Sequence, residues 1–184
     1  MYEMNDKKRQ KKNAFSARDS AYIAIFVALV IAAQLCLAVL PGIELVTVLF
    51  VSFAFVFGVG KGMLAATAFS LLRQLVFGFH PVVLILYLIY YNLLALNFGL
   101  LGKRRKPTPK SLLFITALAC IGTVCFTLFD NILTPLWYAY TPKAARLYFY
   151  ASLPFMIPQV ICTAVTVGVL FLPLARIFSW FKKR

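Results

Sequence analysis

The chain has 184 residues, is 62% hydrophobic and 13% charged, and has a mean hydropathy of +0.88. Ordinary soluble domains are nearer half apolar and about a quarter charged, so composition excludes that class. The formal net charge of +14 would suit nucleic acid, but the lysines and arginines sit in breaks between apolar runs. That placement suits membrane-flanking loops beside anionic inner-leaflet lipid, and no nucleic-acid partner is expected.

Residues 1–18 form a basic tail carrying Lys7, Lys8, Arg9, Lys11, Lys12 and Arg18, and residues 19–184 form one membrane domain. The first apolar run, residues 20–40, is too long for a signal peptide's apolar region and reads as a retained helix. At 1.5 Å per residue, about 20 residues cross a hydrocarbon core of roughly 30 Å. Runs two and three, residues 44–59 and 62–77, are short for full spans and are expected to be tilted, irregular or partly re-entrant. Run four covers residues 81–101, run five 112–138 and run six 147–178. The sixth is overlong and is interrupted by Pro154, Pro158 and Pro173, so its start is expected along the outer surface. The expected fold is all-α: a six-span bundle with both termini cytoplasmic.

Charge sorting supports that count. One set of breaks holds only Lys143 and Arg146, and Arg73 lies within a span. The rest of the 19 basic residues fall in the tail, at Lys61, at Lys103–Lys106 and Lys110, and from Arg176 to Arg184. Cytoplasmic loops retain Lys and Arg, so the rich side is inside.

Arg73 and Asp130 are the costly residues, since a charge at membrane depth costs about 2.5–3.5 kcal/mol on insertion scales and faces a partner or a cavity. Both lie toward the outer ends of their runs. They are either a mutual ion pair or part of an outer polar pocket with Gln74, Asn131 and Gln159. Glu44, beside Thr47, follows the first outer break, and Asn92 and Asn97 lie in run four as pocket or packing groups. Trp137, Tyr138, Tyr140, Tyr148, Phe149 and Tyr150 crowd the last outer loop, as an interfacial belt or as a lid that stacks on a flat ligand. In the first helix Ala24, Ala28 and Ala32 recur every fourth residue, a groove of small side chains that lets another helix approach closely.

Several chemistries lack their residues. Cys36, Cys120, Cys125 and Cys162 lie in apolar runs without a CxxC pair, and His80 is the single histidine, so no metal or cofactor is expected. There is no phosphate-cradling Gly loop, no HExxH and no GxSxG, so the chain is not expected to be an enzyme.

These features together resemble the substrate-binding subunits (S components) of energy-coupling factor transporters, which take up vitamins and related micronutrients in prokaryotes. The resemblance covers roughly residues 18–180. It rests on the six-span pattern, on Ala24-Ile25-Phe26-Val27-Ala28, on Pro41-Gly42-Ile43-Glu44-Leu45-Val46-Thr47, and on Val56-Phe57-Gly58. It implies that Ala24, Ala28 and Ala32 dock on a large transmembrane scaffold subunit carrying a pair of cytoplasmic ATPases. It implies a prokaryotic plasma-membrane location and a substrate bound from outside under residues 40–45, 77–81 and 136–147. Candidate contacts are then Glu44, Arg73, Gln74, Asn92, Asp130, Asn131, Trp137, Tyr138 and Gln159. The rival reading is a ligand-free membrane scaffold or assembly protein, with Arg73 and Asp130 as a structural pair.

Overall fold

The computed structural model describes residues 16–40 and 43–183. The basic tail before Ser16, the Pro41-Gly42 break and the terminal Arg184 lie outside the described residues. Six helices follow one another: α1 Ala17–Leu37, α2 Val46–Phe57, α3 Val59–Phe77, α4 Pro81–Arg104, α5 Pro109–Trp137 and α6 Pro142–Lys183. Four of them, α1, α4, α5 and α6, are long and apolar enough to cross a membrane. No strand occurs among the described residues.

Local chemistry sets the helix ends. Ser16 caps α1 and forms a reciprocal box with Asp19, and Thr108 does the same for α5 with Ser111. Pro81, Pro109 and Pro142 open α4, α5 and α6, where a missing N–H costs nothing. Between α2 and α3 the chain breaks at Gly58 alone. Its φ of 88° is a left-handed geometry that glycine adopts freely.

The short second run is enclosed by its neighbours. At twelve residues α2 is about 18 Å long, and every one of its side chains is buried. Val46-Thr47-Val48-Leu49-Phe50-Val51 is apolar on all faces, as a helix enclosed by others should be. It sits among α1, α3, α4 and α6. Phe53 stacks on Phe26 of α1 with ring centroids 4.0 Å apart, Phe50 lies 4.8 Å from Tyr91 of α4, and Phe55 meets Phe171 of α6 edge-on at 5.2 Å. This aromatic cluster is the centre of the bundle.

α5 and α6 pack lengthwise through small and hydroxyl residues. Ser111, Ile115, Ala119, Thr123 and Thr127 form a buried stripe on α5 at every fourth position, facing the Thr163, Val167, Phe171 and Ala175 stripe of α6. The hydroxyls of Thr123 and Thr163 bond across the contact at 3.0 Å. Close packing of small residues is what associates helices in lipid. α6 runs as one helix from Pro142, so its outer part is continuous with the inner part despite Pro154 and Pro158.

Contacts also place the ends. Lys61 at the start of α3 pairs with Asp19 of α1 at 2.5 Å, Tyr22 donates to the Phe181 carbonyl, and Lys182 donates to the Val56 carbonyl. The beginning of α1, the α2–α3 junction and the end of α6 thus share one end of the bundle.

Candidate functional site

The opposite end is polar inside. There the connection into α2 meets α6: the Glu44 amide donates to Cys162 Sγ at 3.4 Å, and that thiol lies 3.5 Å from the Glu44 carbonyl. The Glu44 carboxylate accepts from Thr47 Oγ1 at 2.9 Å. This brings Glu44 to the wall of a cavity of about 240 Å³ lined by Gln34, Leu37, Ala38, Leu40, Ile43, Glu44, Phe155 and Gln159. A second cavity, of about 320 Å³, lies between α5 and α6 and includes Phe126, Thr127, Asp130, Tyr148, Ser152, Phe155 and Gln159 in its lining. Phe155 and Gln159 line both, so the two cavities flank one turn of α6 and read as halves of a single cleft. Joined, they fall in the range of about 300–1,000 Å³ usual for small-molecule sites.

Arg73 and Asp130 are not paired. Among the described residues Lys61–Asp19 is the one ion pair. Arg73 Nε donates to Gln34 Oε1 at 3.1 Å, and its guanidinium lies 4.7 Å from the Phe77 ring and 4.6 Å from the Tyr87 ring. Gln34 Nε2 in turn reaches Tyr87 Oη at 3.2 Å. Because arginine only donates, the Gln34 oxygen must face Arg73, which fixes the orientation of the amide. Arg73 Nη1 is buried and has no hydrogen-bond partner. The arginine therefore supports the cleft from behind, through Gln34, and satisfies its charge partly on aromatic faces.

Asp130 belongs to the other wall. It accepts from Tyr148 Oη and from Thr134 Oγ1, each at 2.7 Å. The next residue, Asn131, donates through Nδ2 at 2.7 Å to Ser152 Oγ, one turn along α6 from Tyr148, while Asn131 Oδ1 is buried without a partner. These two bonds fasten the outer part of α6 to α5 beside the cleft. Tyr148 continues outward into a ring series, with Tyr140 at 6.0 Å and Tyr138 stacked beyond it at 6.1 Å.

The structure thus brings Glu44, Asp130 and Gln159 into the cleft lining, with Arg73 and Asn131 one contact behind it. Gln74 is buried and braces the turn before α4 by accepting from the His80 amide at 2.9 Å. Asn92 donates to Thr67 of α3 at 3.2 Å and to the Leu88 carbonyl, a lock between α3 and α4 apart from the cleft. Asn97 bonds back to Leu93 within its own helix. Trp137 and Tyr138 are about half exposed at the end of α5 and line neither cavity. Sequence reasoning missed Gln34 and Phe155. The signal for Gln34 was present, as the single amide side chain within the apolar stretch of α1.

Ala24, Ala28 and Ala32 are exposed, on the side of α1 opposite buried Ile23, Phe26, Val27 and Val30. No metal-holding group of His, Cys, Asp or Glu occurs among the described residues.

An all-helical multi-pass membrane bundle with a ligand-sized cleft at one end defines a membrane binding protein. The family model described as ECF-type riboflavin transporter, S component, matches residues 14–176. The chain belongs to this family and is a substrate-specific membrane subunit of an energy-coupling factor transporter. Members of the family are transport-binding subunits that associate with a scaffold and ATPase module. No curated protein and no solved structure matches the chain.

Proposed function

We propose that this chain captures riboflavin, or a flavin close to it, from outside the cell and passes it inward while docked on a scaffold subunit with two cytoplasmic ATPases. The observation that carries the reading is the composite cleft: Glu44 and Gln34 line one half, Asp130 with the Phe126 and Tyr148 rings lines the other, and Phe155 and Gln159 border both. Riboflavin joins a flat apolar ring system bearing polar edges to a flexible polyol chain. Phe126, Phe155 and Tyr148 suit the ring. Glu44, Gln34 and Gln159 offer the acceptors and donors that a polyol requires. The family's description names the same vitamin.

Charge sorting supports an inside location for the end that holds Asp19, Lys61 and Lys182, and with it a cleft open to the outer face of a prokaryotic plasma membrane. The exposed Ala24, Ala28 and Ala32 face suits a scaffold helix, because small side chains let backbones approach. α2 and α3 complete six membrane passes in this reading, with α2 enclosed by its neighbours.

The test is titration of flavin fluorescence with the purified chain in detergent. Stacking on protein rings quenches a flavin, so saturable quenching that ends at one flavin per chain is expected. A signal unchanged at protein concentrations up to tens of micromolar would refute the substrate.

A further inference from the structure

The basic loop after α4 is not absorbed by substrate binding. It borders an open groove of about 260 Å³ lined by Arg105, Lys106, Thr108, Lys110 and Ser111, at the end of the bundle remote from the cleft. The acids among the described residues are all engaged elsewhere: Asp19 with Lys61, Glu44 with Thr47, and Asp130 with Tyr148. Nothing anionic in the described chain therefore answers the three cations of this groove.

The groove is also ordered by its own contacts. The Arg105 guanidinium lies 4.6 Å from the Phe114 ring, which orients it while leaving its N–H edges free. Ser111 Oγ lies 2.9 Å from the Thr108 carbonyl and 3.1 Å from the Lys106 carbonyl, so both loop acceptors point at one hydroxyl and share its hydrogen. Immediately beyond, on α5, Leu113 is 80% exposed and Phe114 46% exposed. Cationic lining beside an outward apolar strip matches a molecule with a phosphate at one end and hydrocarbon at the other.

We propose that Arg105, Lys106 and Lys110 hold the phosphate group of an anionic phospholipid, whose acyl chain lies along Leu113 and Phe114. The proposal does not depend on the identity of the transported substrate.

The experiment is native mass spectrometry of the full chain in detergent with phosphatidylglycerol or phosphatidylcholine of matched acyl chains. Retention of phosphatidylglycerol at least fivefold above phosphatidylcholine is expected. Arg105→Gln with Lys110→Gln should erase most of that preference. Lys103→Gln with Arg104→Gln removes the same charge from residues that do not line the groove, and should keep it. Both pairs should melt within a few degrees of the parent, since the loop is exposed. Equal retention of the two lipids by the parent, or equal losses from the two variant pairs, would overturn the proposal. Displacement of the lipid by millimolar inorganic phosphate would overturn the lipid source and assign the groove to free phosphate.

Discussion

Tyr148 donates its phenolic hydrogen to Asp130 at 2.7 Å, and this bond joins the outer part of α6 to α5 at the edge of the cleft. Asn131 and Ser152 repeat the tie one turn away. The cleft is therefore walled on one side by a proline-bearing helix segment tied to α5 by these polar bonds.

Tyr148→Phe deletes the donor and keeps the ring. A hydrogen bond to a charged group contributes about 1.5–3 kcal/mol, and part of it holds the α6 wall rather than the ligand. Flavin affinity is expected to fall about tenfold with little change in melting temperature, measured by fluorescence titration and a thermal melt. Unchanged affinity would show that the tie is irrelevant to the bound state.

Gln159 borders both cavities, so Gln159→Leu removes polar groups from each while roughly conserving volume. A ligand left with unpaired polar atoms in a closed site loses about 1–3 kcal/mol per group. Dissociation constants should rise at least tenfold while the melting temperature without ligand holds or increases. Retained affinity would move the ligand out of the junction between the cavities.

Ala24→Trp or Ala28→Trp places a large ring on the exposed side of α1, away from the cleft and the aromatic core. Flavin binding by the isolated chain should stay within about twofold, whereas co-purification with scaffold and ATPase subunits, and cellular uptake, should be lost. Normal uptake in either variant would remove this face from the docking surface.

Gly102 on α4 is where the backbone of α2 comes closest: a Cβ there would stand 1.9 Å from the Phe55 carbonyl oxygen. Alanine favours a helix over glycine by about 1 kcal/mol, but overpacking a fixed contact costs about 1–3 kcal/mol. Because the obstacle is backbone of the enclosed helix, the clash is expected to win. Gly102→Ala should lower the melting temperature by several degrees, and an equal or higher value would contradict this crossing.

Arg73→Lys keeps the charge and discards the planar group between Phe77 and Tyr87. Lysine has no fork to hold Gln34 while lying flat on two rings. Flavin affinity should drop several-fold, less than in Arg73→Gln, with both variants accumulating in the membrane. Equal affinity in all three proteins would make Arg73 purely a packing residue.

What the sequence by itself determined is what composition and one-dimensional order can carry. Apolar runs, cap residues and prolines marked six helices close to where they lie, because helix ends depend on neighbours only a few residues away. The sorting of lysine and arginine separated the two ends of the bundle, and the four-residue alanine spacing gave one exposed stripe on α1. Tertiary structure decided the rest. That α2 is a wholly enclosed helix follows from which helices surround it, and no local signal states that. Arg73 and Asp130 sit toward the outer ends of their runs, yet they do not meet: Arg73 donates to Gln34 behind the cleft, and Asp130 accepts from Tyr148 in its lining. Asn92 and Gln159 are similar amides in apolar runs. Rotation of α4 turns the first toward Thr67, and the course of α6 sets the second between two cavities. Side-chain direction at a given depth is fixed by helix rotation and neighbour choice, which are properties of the packed bundle.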